Sequence, residues 1–326
     1  MGTVKSNPVF LYDVVGVGAN SVDAVYVLPE FPRPAGPAAK LKIRSQRLSP
    51  GGQMATALCT CAALGLRTSY VGAFGNDDNG RRIRGELARR GVSTDAAATR
   101  EVPNRHAVIL IDERHGERVV LWDRDPQLAL RRDEVPAALI AGARLVHVDD
   151  EDEAIAIDAA RLARGAGVPV TSDIDRITGR TRELTAAVTI PIFAEHVPQA
   201  LTGERDLPRA LAALRAPHHR MLCVTLGSRG AMVLDGDRLE QVPGYPVDVV
   251  DTTGAGDVFR GAFICALLRG DRPAEIVRFA NAAAAVACTR HGAIGGVPTL
   301  DEIEGRLESD PSRKWDGPPR RGRAAS

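Results

Sequence analysis

The sequence predicts an α/β fold: a mostly parallel central sheet sandwiched by helices, with a small β lid at its side. Three observations carry this. Short apolar runs of strand length alternate with helical segments through most of the chain, the pattern of a parallel sheet covered on both faces. Two extended pieces, residues 20–45 and 105–122, fall outside that alternation and pair naturally into a lid. The 326 residues are 44% hydrophobic and 25% charged, ordinary for one large globular domain.

Taken in order, the run from Val9 to Gly18 reads as a buried strand closing on a glycine turn. A dinucleotide fingerprint would need a helix after Gly16-x-Gly18. Instead Val22 to Val27 continues extended, and Pro29, Pro32, Pro34 and Pro37 forbid a helix. A helix runs from Gly51 to Leu64 and stops at Gly65. Thr68 to Ala73 is a strand, and Gly80 to Arg90 a basic helix ending at Gly91. Val108 to Asp112 and Arg118 to Trp122 alternate as a hairpin around Glu113 to Glu117. Val146 to Val148, Val168 to Ser172, Val188 to Ile192 and Cys223 to Leu226 are short apolar strands. Ala154 to Arg164, Leu207 to Leu214, Val258 to Leu268 and Pro273 to Arg290 supply the helices between and after them. The folded unit spans residues 9–307; residues 308–326 turn to Ser, Pro, Gly and Arg and are expected to be a disordered tail.

Composition excludes several functions. A net charge of +1 gives no field for nucleic acid or an anionic membrane. No apolar run reaches the ~20 residues of a membrane span, and Met1 to Pro8 lacks a signal-peptide core, so a cytoplasmic protein is expected. Cys59, Cys61, Cys223, Cys265 and Cys288 lie among apolar residues without Cys-x-x-Cys spacing and read as reduced packing residues. His218-His219, beside a proline, read as a solvated loop without metal-binding partners. Lysines occur only at 5, 40, 42 and 314, with no Gly-x-x-x-x-Gly-Lys-Ser/Thr, which excludes a P-loop ATPase. The His-Arg-Asp catalytic loop of protein kinases is missing too.

The run Asp251-Thr252-Thr253-Gly254-Ala255-Gly256-Asp257 carries the chemistry. It joins a small-residue turn to an apolar helix, whose first N–H groups lack partners and whose dipole favours negative charge. Glycines let a phosphate approach such a backbone, so the turn reads as an anion cradle. A carboxylate there would repel a merely bound phosphate; it makes sense as the base for a nucleophile attacking that phosphate. The plainer reading of Gly-x-Gly-Asp is a helix capped by an acid. Thr252-Thr253 and the Ala-rich helix behind favour the cradle.

On these residues the chain resembles the ribokinase-like (PfkB) carbohydrate kinases from about Val9 to Leu307. The 251–257 run is similar to that family's C-terminal signature, and Gly51-Gly52 before a small-residue helix to its N-terminal one. Tyr70 to Gly80, Thr225-Leu226-Gly227-Ser228-Arg229-Gly230-Ala231 and Asn281-Ala282-Ala283-Ala284 resemble further family segments in order and spacing. The resemblance implies ATP-dependent phosphorylation of a sugar hydroxyl. Asp257 is then the base, and the N–H groups of Gly254, Ala255 and Gly256 form the anion hole. Asp23, Gly51, Gly52, Gln53 and Thr56 are implied at the sugar, and Thr225, Gly227, Gly230 and Asn281 at ATP. A magnesium ion is implied with the nucleotide. Asp251 and Thr253 are implied at a monovalent cation, potassium, with a simple brace of the turn as the alternative. A homodimer through the lid follows from the same resemblance. Trp122, at the end of the lid strand, and Arg124 and Asp125 after it are placed to touch a sugar, with core packing as the alternative for Trp122; Asp173 and Asp175 follow a central strand and are expected to face the ligand crevice.

The chain departs from the pattern in two places. Thr56 stands where many members have Asn, which shortens the reach toward a sugar. The family's Asn-x-x-Glu, tied to magnesium, is replaced by Ala194 and Val197, with Glu195 nearby. Magnesium would then be held by ATP phosphates and water. Two alternatives stay open: a nucleoside kinase of the same fold, disfavoured by 4% aromatic content, and a catalytically silent sugar- or nucleotide-binding protein.

Overall fold

A computed structural model describes residues 10–115 and 117–309. The first strand, β1 (Val14–Val17), is wholly buried and sends alternate side chains to two apolar layers, with Val15 and Val17 on one face and Val14 on the other. Gly16 and Gly18 serve packing. A Cβ on Gly16 would lie 2.4 Å from Met54 Sδ, and one on Gly18 would overlap the Asp149 carboxylate. The chain then leaves the core as β2 (Ser21–Leu28) and returns as β3 (Ser45–Gly51), an antiparallel partner of β2. It re-enters the core as α1 (Gln53–Ala63), buried from Met54 to Cys61.

Next come β4 (Thr68–Val71), β5 (Ala73–Gly75), α2 (Asp78–Arg89), β6 (Val92–Ser93) and β7 (Ala98–Arg100). The strand expected over 68–73 is therefore broken at Gly72, because Ala73–Gly75 leaves the central sheet to pair with β7. Asp77 caps α2 by accepting the Gly80 N–H at 2.8 Å. The lid is completed by β8 (His106–Asp112) and β9 (Arg118–Asp123), giving the order β3-β2-β8-β9 with β2 and β8 parallel. The lid thus spans 21–51 and 106–123, not 20–45 and 105–122. The returning strand was illegible because Ser45-Gln46-Arg47-Leu48-Ser49-Pro50 lacks an apolar alternation. Strand β9 lies at the sheet edge and exposes Val119, Val120, Leu121 and Trp122, the edge on which the expected homodimer would form.

The remaining chain alternates strand and helix: α3 (Ala137–Ala141), β10 (Leu145–Asp149), α4 (Glu153–Gly165), β11 (Val170–Asp173), α5 (Thr181–Ala187), β12 (Ile192–Ala194), α6 (Val197–Thr202) and α7 (Leu207–Ala213). Of these, the short helices α3, α5 and α6 are added to the elements expected. Then follow β13 (Leu222–Thr225), β14 (Ala231–Asp235), β15 (Arg238–Val242), α8 (Ala255–Arg269), α9 (Pro273–Ala287) and α10 (Leu300–Glu308). The central sheet runs β11-β10-β1-β4-β6, all parallel. Parallel bridges at Thr171–Ile190 and Ile174–Phe193 join it to the sheet β12-β13-β14-β15. The strand expected over 188–192 begins at Ile192, since Pro191 offers no N–H to a ladder. The antiparallel hairpin β14–β15 was not foreseen. Helices α1, α8 and α9 pack together on one face, with α4 and α5 on the other. Glu308 closes α10, while Val9 and the expected tail from 310 to 326 lie outside the described residues. No helix among the described residues is long and apolar enough to cross a membrane.

Candidate active site

The helix carrying the acidic signature begins earlier than its apolar pattern indicated. Residue 254 takes the N-cap of α8 with φ +77°, so Ala255, Gly256 and Asp257 form the first turn. Glycine is required at 254 by that left-handed φ and by space, since a Cβ there would stand 2.5 Å from the Cβ of Ala293. Ala255 donates its N–H to the Thr252 carbonyl at 3.2 Å. The Gly254 and Gly256 N–H groups have no protein acceptor among the described residues.

Asp257 lines a cavity of about 220 Å³ together with Ser21, Asp23, Gly52, Gln53 and Arg105. Thr253, Gly254 and Ala293 continue its floor, and the lid contributes an apolar wall of Ala107, Ile109, Val120 and Trp122. The base and the sugar clamp expected from sequence therefore face one space. Gly52 sits at φ +97°, and a Cβ on it would fall 2.6 Å from the Asn20 backbone, so the start of α1 is pressed against the base of β2. Gly51 lies beside the same floor, its Cβ direction meeting Ala293 at 3.2 Å and Asp23 Oδ2 at 3.9 Å.

Burial pushes Asp257 up to about 7, with Asp149 and Asp175 pushing the same way against Arg260 and Arg105. The sequence had suggested the opposite sign, since a helix N-terminus lowers a carboxylate. Burial is the largest cause of the shift, and a value near neutrality would suit a general base. Burial also raises Asp23, although its Oδ1 accepts from Ser21 Oγ at 2.7 Å and Arg105 opposes the shift.

Other expected residues fall outside the cavity. Thr56 is fully buried on α1, and its Oγ1 lacks a hydrogen-bond partner among the described residues. Asp251 accepts the N–H groups of Thr253 and Gly292, both at 2.9 Å, and pairs with Arg47 of β3 at 3.1 Å. Burial alone would raise its carboxyl, but these N–H groups and Arg47 hold it below the ordinary value. Arg124 pairs with Asp152 at 2.7 Å, and Asp125 caps a short turn by accepting the Gln127 N–H. Asp173 pairs with Arg260, and the Asp175 N–H donates to Asp150.

The nucleotide-site expectations cluster at the carboxyl end of β13. Thr225 Oγ1 donates to Phe193 O at 3.3 Å, and Gly227 and Gly230 take φ +58° and +87° in the turn that follows. Space beside Gly227 is open, whereas Gly230 abuts the Val242 carbonyl. Asn281 donates to the carbonyls of Val242 and Pro243 and so pins the loop after β15. Glu195 is exposed and paired with Arg229 of that turn. Among the described residues no cluster of three acidic, His or Cys side chains offers a metal cage. Sequence reasoning missed Ser21, Arg105 and Ala293. Ser21 was readable, two residues before Asp23; Arg105 and Ala293 sit in loops without a local pattern.

A model described as pfkB family carbohydrate kinase matches residues 13–300. An ATP-dependent ribose-1-phosphate kinase of Halopiger xanaduensis is 31% identical over 89% of this chain and 96% of its own. Fructokinase-2 of Zea mays is 28% identical over 77% of this chain and 83% of its own. The solved structure of Arabidopsis thaliana ribokinase complexed with ribose and ATP is similar with a TM-score of 0.79 at 26% identity, covering 92% of this chain and 99% of that one.

Proposed function

This chain belongs to the pfkB family of carbohydrate kinases, and we propose that it moves the γ-phosphoryl group of ATP to a hydroxyl of a small sugar with Asp257 as base. The observation that carries this is the shared cavity: Asp23, Asp257 and the Gly254 turn face the same space. Asp23 accepts sugar hydroxyls as a two-acceptor carboxylate, and Arg105 and Gln53 offer donors. The attacking hydroxyl gives its proton to Asp257, while the Gly254 and Gly256 N–H groups hold the charge that spreads over the phosphoryl oxygens. ATP would lie along the Gly227–Gly230 turn, open beside Gly227, and it supplies the phosphoryl group. Magnesium fits as a companion of the ATP phosphates, since Ala194 and Val197 offer it no ligand. A cytoplasmic location, where ATP is abundant, accords with this activity.

The experiment is ADP formation across ribose, fructose, other ketoses and aldoses, sugar acids, sugar phosphates and nucleosides. Arg105 in the cavity makes anionic sugars necessary members of that panel. Turnover with one small sugar supports the proposal, and none with any compound overturns it. A nucleoside acceptor is the second reading, and the wall of Ala107, Ile109, Val120 and Trp122 favours it by offering an apolar face to a base.

A potassium ion beside Asp251 does not fit the residues present. Its carboxylate already accepts two N–H groups and faces the Arg47 guanidinium, which would repel a second cation. Arg47 supplies that positive charge itself. Replacing potassium by sodium or choline at equal ionic strength should therefore change kcat by less than about threefold. Turnover that requires potassium would reverse this assignment.

A further inference from the structure

Beneath the first turn of α8 lies a buried cation that phosphoryl transfer, as proposed above, leaves unused. Arg260 stands three residues beyond Asp257 on the same helix, a spacing that puts both on one face. Its side chain is 5% exposed, and Nη2 lies 2.6 Å from Oδ1 of Asp173, itself 2% exposed at the end of β11. Nη1 fills the space under Gly256, where a Cβ would stand only 2.8 Å away. The guanidinium thus touches the underside of the turn whose upper side faces the cavity.

Packing does not call for this residue. Its neighbours Val258, Phe259, Ala262 and Phe263 are buried and apolar. Burying an ion pair carries a large desolvation penalty, and replacing one by packed apolar groups is often neutral or stabilising. Arginine also stays charged at any working pH, so this position is permanently positive. The surroundings are otherwise acidic or neutral. Asp149 from β10, Asp150 and Asp175 from the loops after β10 and β11, and Asp173 bring carboxyl groups. His147 of β10 and Cys223 of β13 face Arg260 uncharged, and Arg105 approaches Asp257 from the lid side.

We propose that Arg260 is a positioning residue for phosphoryl transfer: fixed by Asp173, it keeps Asp257 ionised and makes the Gly254–Gly256 turn more positive. The inference rests on Asp257 being the base. In support, Arg260 heads the groups that hold Asp257 down against burial, which otherwise drives it up to about 7. Removing it lets burial, Asp149 and Asp175 act unopposed from below the turn.

The test is the pH profile of kcat/KM, from pH 5.5 to 9.5, with the best sugar of the panel. Wild type and Arg260→Lys should share an acid limb near pH 7. Arg260→Met should move that limb upward by about one pH unit or more, a tenfold loss at its foot, and recover toward alkaline pH. The double variant Arg260→Met/Asp173→Leu replaces the pair by apolar volume and keeps the question answerable where the single variant fails to fold; its limb should also move upward. An unmoved limb with a uniform fall in rate shows a structural residue only and overturns the proposal. The two failures are separable. If Asp257→Asn turns over normally, the base is wrong; if it is inactive while the limb stays put, Arg260 is wrong.

Discussion

Asp257→Asn should lower kcat by about 10²–10⁴ while sugar and ATP-analogue dissociation constants stay within about threefold. The amide keeps the shape of the side chain and cannot accept the sugar proton. Stability separates this loss from unfolding. The folded pKa of Asp257 is raised, so its contribution to stability is present below the ordinary carboxylate range and disappears as pH rises through about 7. Above that pH the ionised acid faces Asp149 and Asp175 in a desolvated place, and asparagine does not. At pH 8 the variant should melt no lower than wild type. A variant with near-normal kcat removes Asp257 from the mechanism, and one that melts far below wild type shows that the carboxylate is structural.

The turn on which the proposed chemistry rests was legible because it depends on local backbone. Asp251 to Asp257 needs glycine at 254 for a left-handed φ and an acid in the first turn of a helix, and both conditions can be read from adjacent letters. The sandwich was legible for a related reason: buried parallel strands are short continuous apolar runs, as in Leu145 to Asp149 and Leu222 to Thr225. What failed to show was set by distant partners. Strand β3 is polar because one edge of the lid is solvated, so only its pairing with β2 makes it a strand. The α8 boundary moved because Gly254 and Ala255 carry no apolar signal. Thr56 was expected at the sugar from the family resemblance, yet it is fully buried on α1 and does not line the cavity. Arg105 reaches the cavity only through the lid's fold, and no spacing in the sequence announces it.

Long-range contacts also join the 251–257 turn to the lid. Ala293 touches the Cβ directions of both Gly51 and Gly254, at 3.2 Å and 2.5 Å, and Gly292 donates to Asp251, which pairs with Arg47 of the lid. The loop at 292–293 thus sits between the end of β3 and the start of α8.

Gly254→Ala is therefore expected to damage catalysis far more than folding. The methyl group would meet Ala293 Cβ at 2.5 Å and its Cα at 2.6 Å, backbone that cannot swing aside. A non-glycine residue at φ +77° adds strain on the order of 1–3 kcal/mol. The turn must move, and with it the Gly254 and Gly256 N–H groups proposed to receive the phosphoryl charge. Loss of one such donor elsewhere costs about 10²–10³ in kcat, and that range is expected here, with the sugar KM less affected. Gly295→Ala is the matching control: no atom lies within 4 Å of its Cβ direction, and it takes no positive φ. Steady-state kinetics of the two variants side by side decide the matter. If Gly254→Ala keeps a kcat close to that of Gly295→Ala, the phosphoryl charge is held elsewhere and the turn is only a helix cap.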